Sequence, residues 1–210
     1  MIQKRTVLIA GVIALIVLVL GATSAVFAYG ITRKQWEGGA TRAFAGLTSF
    51  PAGRVDGEKA VYSDYLAQVD AQRVYLKTED ARQRQLPTDV NSETREAAYN
   101  QIIQIAGLNA LAKENQVTIS DLDIDKAFDD FVAQSGTSTQ PGEIDNFLKE
   151  SFGWDRAAFK NYFIRPGVLS QALRAKMPGT TEEEKGEALG KKLEERLKKE
   201  DVKKYLIISP

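Results

Sequence analysis

Ser92-Glu93-Thr94-Arg95-Glu96-Ala97-Ala98-Tyr99-Asn100-Gln101-Ile102-Ile103-Gln104-Ile105-Ala106-Gly107-Leu108-Asn109-Ala110-Leu111-Ala112-Lys113-Glu114-Asn115 decides the fold class of this chain. Ser92, with Glu96 close behind, opens a helix. Ala98, Ile102, Ile105, Leu108 and Ala112 recur at helical spacing and form one apolar face. Ile103, Ala106 and Ala110 broaden that face beyond a narrow stripe, so the helix is expected to be central and enclosed on several sides. Asn115 ends it.

The same signals recur on either side of this stretch. Ser63 caps a helix of about twenty residues carrying Tyr65, Leu66, Val69, Val74 and Leu76 and fading before Pro87. Ser120 and Asp123 form a capping pair ahead of Ile124, Ala127, Phe128 and Phe131. Ser135 to Gly142 is a loop. Ile144, Phe147 and Leu148 mark a short helix stopped by Gly153, and Asp155 caps a long one carrying Phe159, Tyr162, Phe163, Leu169 and Leu173. Pro166-Gly167 sits inside that helix, where proline removes a ladder bond and predicts a kink. From Thr181 a charged helix is expected to run to about Lys204 with only Leu189, Leu193, Leu197 and Val202 to bury, so it docks lightly or reaches past the domain. Val55 to Val61 holds a tight turn at Asp56-Gly57, at most a two-stranded scrap.

The N-terminus has a different composition. Thr6 to Ala28 carries no charge, and 13 of its 23 residues are Val, Ile, Leu or Phe. As a helix it would be roughly 35 Å long, enough to cross a ~30 Å hydrocarbon core. Residues 6–29 are therefore expected to be a transmembrane anchor behind a short cytoplasmic tail, 1–5. The competing assignment is a signal peptide cleaved after Ala28, with Lys4-Arg5 as its basic start. Residues 30–53, rich in glycine, are expected to be a juxtamembrane linker. A helical domain over 54–178 and a charged C-terminal helix over 179–210 complete the expected all-α chain, five to six helices behind one membrane span. The expected localisation is the cell membrane, single-pass, with the C-terminal domain extracytoplasmic.

Composition narrows the chemistry. The chain has 210 residues with 28 basic and 28 acidic side chains, a net charge of zero, which gives no reason to expect a nucleic-acid partner. Histidine and cysteine are both absent, which removes His-based triads, thiolate chemistry and the usual zinc ligands. Asp121, Asp123, Asp125, Asp129 and Asp130 fail as a calcium loop, since no glycine stands sixth and no glutamate twelfth. No glycine-rich phosphate loop occurs. No catalytic residue, metal site or cofactor is expected.

A further signal lies in the order of the motifs. Pro51 to Glu58 leads into Ser63-Asp64-Tyr65. Tyr99-Asn100-Gln101-Ile102-Ile103 and Ala112-Lys113-Glu114-Asn115 come next. Val117-Thr118-Ile119-Ser120-Asp121-Leu122-Asp123-Ile124-Asp125-Lys126-Ala127-Phe128 comes after them, and then Phe147 to Phe159 around Gly153-Trp154. Together they resemble the N-terminal chaperone domain of the SurA, PrsA and PpiD group of extracytoplasmic folding factors, over about 51–177. The N-terminal anchor is similar to that of the PpiD branch. The resemblance implies a membrane-anchored holdase-type chaperone for unfolded or newly exported polypeptides. The parvulin prolyl isomerase domain of that group is missing, with its histidines, so isomerase activity is not carried over. The alternatives are a scaffold subunit that docks a fixed envelope partner, or a truncated remnant of a parvulin-type isomerase. Phe147, Phe152, Trp154, Leu169, Leu173 and Met177 are the candidate client-binding residues. The kink at Pro166 is expected to turn Phe159, Tyr162 and Phe163 into the central helix and to swing Leu169, Leu173 and Met177 toward Phe147.

Overall fold

The computed structural model describes residues 22–134, 141–199 and 202–208. The chain is mostly helical. Helix α1 covers residues 22–34. After it come α2 (Gly39–Thr48), the hairpin β1 (Pro51–Val55) and β2 (Glu58–Val61), α3 (Tyr62–Tyr75), α4 (Glu79–Gln83) and α5 (Ser92–Glu114). Then come α6 (Asp121–Gln134), α7 (Pro141–Phe152), α8 (Arg156–Phe159), α9 (Arg165–Arg174), α10 (Glu182–Leu197) and β3 (Lys203–Lys204).

The 23-residue α5 is the axis of the fold. Its start is capped by Asn91 rather than Ser92: the Asn91 side chain accepts from the Thr94 amide at 2.9 Å and Thr94 Oγ1 accepts from the Asn91 amide at 2.9 Å. One face of α5 packs on the hairpin and α3, with Tyr99, Ile102, Ile103 and Ala106 in a core shared with Val55, Tyr62, Leu66 and Val69. A second cluster joins Leu111 and Ala112 of α5 to Leu169, Leu173, Met177 and Leu189. The third gathers Phe128, Ile144, Leu148, Trp154 and Phe159 around α6, α7 and α8.

The hairpin turn has positive φ at both Asp56 (48°) and Gly57 (86°), the primed geometry whose twist matches paired strands. An all-α chain with a two-stranded scrap is corrected here, because a third strand joins. β3 pairs antiparallel with β1, giving the order β2-β1-β3. The charged helix stops at Leu197 instead of running to Lys204, and the chain returns along β1. Tyr99 holds that return: its hydroxyl donates to the Ala52 oxygen (2.8 Å) and accepts from the Tyr205 amide (3.0 Å). Nor does α10 dock lightly. A Cβ on Gly107 would stand 2.7 Å from Leu193 Cδ1, so the missing side chain makes room for Leu193 of α10. Arg196, 8% exposed, bonds both Asp56 and Glu114.

The membrane segment is also corrected. Residues 6–21 of the expected span lie outside the described residues. Among the described residues no helix is long and apolar enough to cross a membrane. The part of the stretch that is described belongs to the globular body: Phe27 stacks on Phe44 at 4.7 Å, and Ile31 on α1 is fully buried. The single-pass placement and the extracytoplasmic orientation rested on that span and are not carried forward. Residues 30–53, expected to be a linker, hold α2, whose Ala45 is fully buried. Glu37 ties the segment down through Arg73 (2.8 Å) and Arg95. The expected loop over Ser135 to Gly142 lies outside the described residues at 135–140, and α7 begins at Pro141.

Candidate functional site

On α3, Asp64, Gln68, Ala71, Gln72 and Tyr75 share one face, spaced at four, three, one and three residues. On α5, Gln101, Ile105 and Asn109 do the same at intervals of four. The wall opposite these two faces is aromatic, built from the end of α7, from Trp154 and from the turn just after α8.

That turn is a π-helical segment, Lys160–Ile164, in which the Arg165 amide bonds back to the Lys160 oxygen. Pro166 explains it. Proline has no amide hydrogen and its ring collides with the turn before it, so a wider turn just upstream lets the helix continue without a sharp break. The extra residue in that turn also shifts the faces of the helix. Phe159 points into the α6–α7 cluster rather than onto α5. Tyr162 reaches α3, its hydroxyl donating to Asp64 Oδ1 at 3.3 Å. Phe163 is left 52% exposed.

Between α3 and this wall lies a cleft of about 290 Å³ lined by Gln68, Tyr75, Gln101, Phe152, Trp154 and Phe163 among others. Phe152 and Trp154 stack at 5.5 Å with an interplanar angle of 16°. Trp154 is held in place because its Nε1 donates to the Ala67 oxygen at 3.3 Å. Gln68 is the unusual member. It is 4% exposed, and its side-chain Nε2 has no hydrogen-bond partner. A buried amide without a partner costs about 1–3 kcal/mol, so its place in the lining of a cleft marks a point where a ligand could supply the missing acceptor.

The electrostatics of the wall come from burial. The Tyr162 hydroxyl is pushed up to about 12, first by loss of solvent and then by the Asp64 carboxylate beside it. Burial raises Asp64 as well, and the hydrogen bond from Tyr162 only partly opposes that. No group of three or more metal-ligating side chains occurs among the described residues.

The chain matches no family model, no curated protein and no solved structure.

The six residues expected to bind a client fall into two groups. Phe152 and Trp154 line the cleft, and Phe147, 37% exposed, meets Phe152 edge-on at 6.2 Å beside it. Leu169, Leu173 and Met177 do not join them. They turn the opposite way and pack on α5 and α10, all three buried and Leu173 fully so. The residues missed were Gln68, Tyr75, Gln101 and Phe163. A trace of Gln68 and Gln72 was visible, since two amides one turn apart stand among apolar positions of α3.

Proposed function

We propose that this chain is a holdase-type chaperone that binds unfolded polypeptide in extended form in the cleft between α3, α5 and the aromatic wall. The observation that carries the reading is the buried, unpartnered Gln68 amide among the residues that line an aromatic cleft. A side-chain amide offers two N–H donors. A main-chain carbonyl is an acceptor present at every residue of a client. A site that pairs with backbone and surrounds it with aromatic faces tolerates many sequences, as a holdase requires. The motif likeness of residues 51–177 to the SurA, PrsA and PpiD chaperone domain supports the same reading.

The rim fits this use. Phe163, 52% exposed, lines the cleft with Phe152 and Trp154, and the exposed Phe147 meets Phe152 edge-on, so the apolar surface extends past one residue of a client. The test is suppression of aggregation of chemically unfolded clients of unrelated sequence by the full-length chain. The wild type is expected to suppress it. Phe163→Ser and Gln68→Leu are expected to lose most of that activity while keeping the thermal midpoint. Binding of one folded partner, with no effect on unfolded clients, would instead favour a scaffold.

A further inference from the structure

A second cavity lies further along the same pair of helices, on the other side of Tyr162. Asp64 lies one turn before Gln68 on α3, and Ile105 and Asn109 lie one and two turns after Gln101 on α5. This smaller cavity, of about 120 Å³, opens between them. Its apolar lining is mainly aliphatic, from Ile102, Ile105, Leu108 and Leu169, with Tyr162 as its one aromatic member. For scale, an engineered apolar cavity of about 150 Å³ holds one benzene. This one suits a single aliphatic side chain. Two cations, Lys59 and Arg165, also line it, and both are exposed.

We infer that this second site captures the C-terminal carboxylate of the bound polypeptide, with the aliphatic side chain of its last residue in the cavity. The inference rests on the polypeptide-binding reading above. Charge and spacing both support it. An internal segment of a client offers Lys59 and Arg165 a carboxylate only where it happens to carry Asp or Glu, whereas a chain terminus carries one whatever its sequence. Arg165 also holds Asp121 through Nη2 at 3.1 Å. A guanidinium has five N–H donors in a fork, so it can serve an ion pair and a second carboxylate together. One helical turn separates Gln68 from Asp64, about 5.4 Å along the axis, or roughly two residues of extended chain. The carbonyl bonded by Gln68 therefore stands about two residues before the terminus. Asp64 is the one like charge in the cavity lining. It is already engaged, accepting from the Tyr162 hydroxyl at 3.3 Å on the α3 side of the cavity.

The experiment is an anisotropy titration of the full-length chain with three peptides labelled at the N-terminus. The first has the sequence Gly-Ser-Gly-Ser-Phe-Gly-Leu as a free acid, the second is its C-terminal amide, and the third is the acid extended by three glycines. The free acid is expected to bind about tenfold tighter than the other two, the scale of one charge-assisted contact. Replacing both cations (Lys59→Ala with Arg165→Ala) is expected to remove that advantage and leave amide binding unchanged. Both side chains are at the surface, and a thermal melt of the variant checks that the fold is intact. Equal binding of acid and amide would overturn capture of the terminus while leaving the cleft reading standing. Failure of all three peptides to bind would overturn both.

Discussion

Trp154 donates its indole N–H to the main-chain oxygen of Ala67 at 3.3 Å, joining the segment after α7 to α3 across 87 positions of sequence. Ala67 precedes Gln68, so the bond that holds the aromatic wall also sets its distance from the unpartnered amide. The Tyr162–Asp64 hydrogen bond repeats the attachment one turn earlier on the same helix. Two contacts between distant segments thus fix the aromatic wall to α3.

Gln68 gives the sharpest separation of stability from binding. Replacing it with leucine removes a buried donor that has no partner, and the thermal midpoint is expected to hold or rise, with up to about 1–3 kcal/mol of relief. Affinity for an unfolded client, measured by anisotropy, is expected to fall roughly fivefold to tenfold, the worth of one hydrogen bond. A loss of stability with unchanged binding would assign Gln68 to the core alone.

Leu173 is expected to behave in the opposite way. It is fully buried against α5 and α10, so Leu173→Ala should cost about 2–5 kcal/mol in urea unfolding. Client binding per folded molecule should not change. A selective loss of binding would return this residue to a client surface.

Two carboxyls make opposite contributions to the pH dependence of stability. Burial opposes ionisation of Glu37, but hydrogen bonds from Arg95 and Arg73 outweigh it and hold the carboxyl below its ordinary value. Its stabilisation is therefore fully present above that ordinary value and is lost as pH falls through the depressed one. Asp64 is raised, chiefly by burial, so its ionisation costs stability as pH climbs from its ordinary value through the raised one. Asp64→Asn is expected to raise the thermal midpoint at pH 7 and to lose that advantage in acid. Glu37→Gln should lower the midpoint at pH 7, with the gap closing in acid. Thermal melts of both variants from pH 3 to pH 8 check the two signs.

Arg196 holds the C-terminal part of the fold. Its guanidinium bonds Asp56 in the hairpin turn and Glu114 at the end of α5. Arg196→Ala is expected to cost about 2 kcal/mol, the scale of hydrogen bonds to charged groups. The Tyr205 and Ile207 amides, which bond Ala52 and Thr32, should then exchange faster with solvent. Gly107→Val tests the same docking by packing. Its branched side chain would push Leu193 away, at about 1–3 kcal/mol.

Local pattern was enough for α3, α5, α6 and α7, though not for α2 or for the end of α10. The apolar face of α5, the Ser120–Asp123 pair, the Asp155 cap and the Thr181–Glu184 capping box all depend on residues within one or two turns of one another. So does the primed turn at Asp56-Gly57. The direction in which each helix face would point could not be read from such spacing. One extra residue in the turn before Pro166 rotates the helix on the N-terminal side of the proline against α9 on its C-terminal side. It sends Phe159 to α6 and α7, Tyr162 to α3 and Leu173 to α10, against the expectation from an ordinary helix with a kink. The third strand, the burial of Arg196 and the burial of Ile31 likewise come from contacts between segments far apart in the chain. The site shows the same division. Phe152 and Trp154 stood out by residue type, because aromatic side chains signal apolar surface wherever they occur. Gln68 did not, because a glutamine on a helix is ordinary until packing buries its amide and leaves it without a partner.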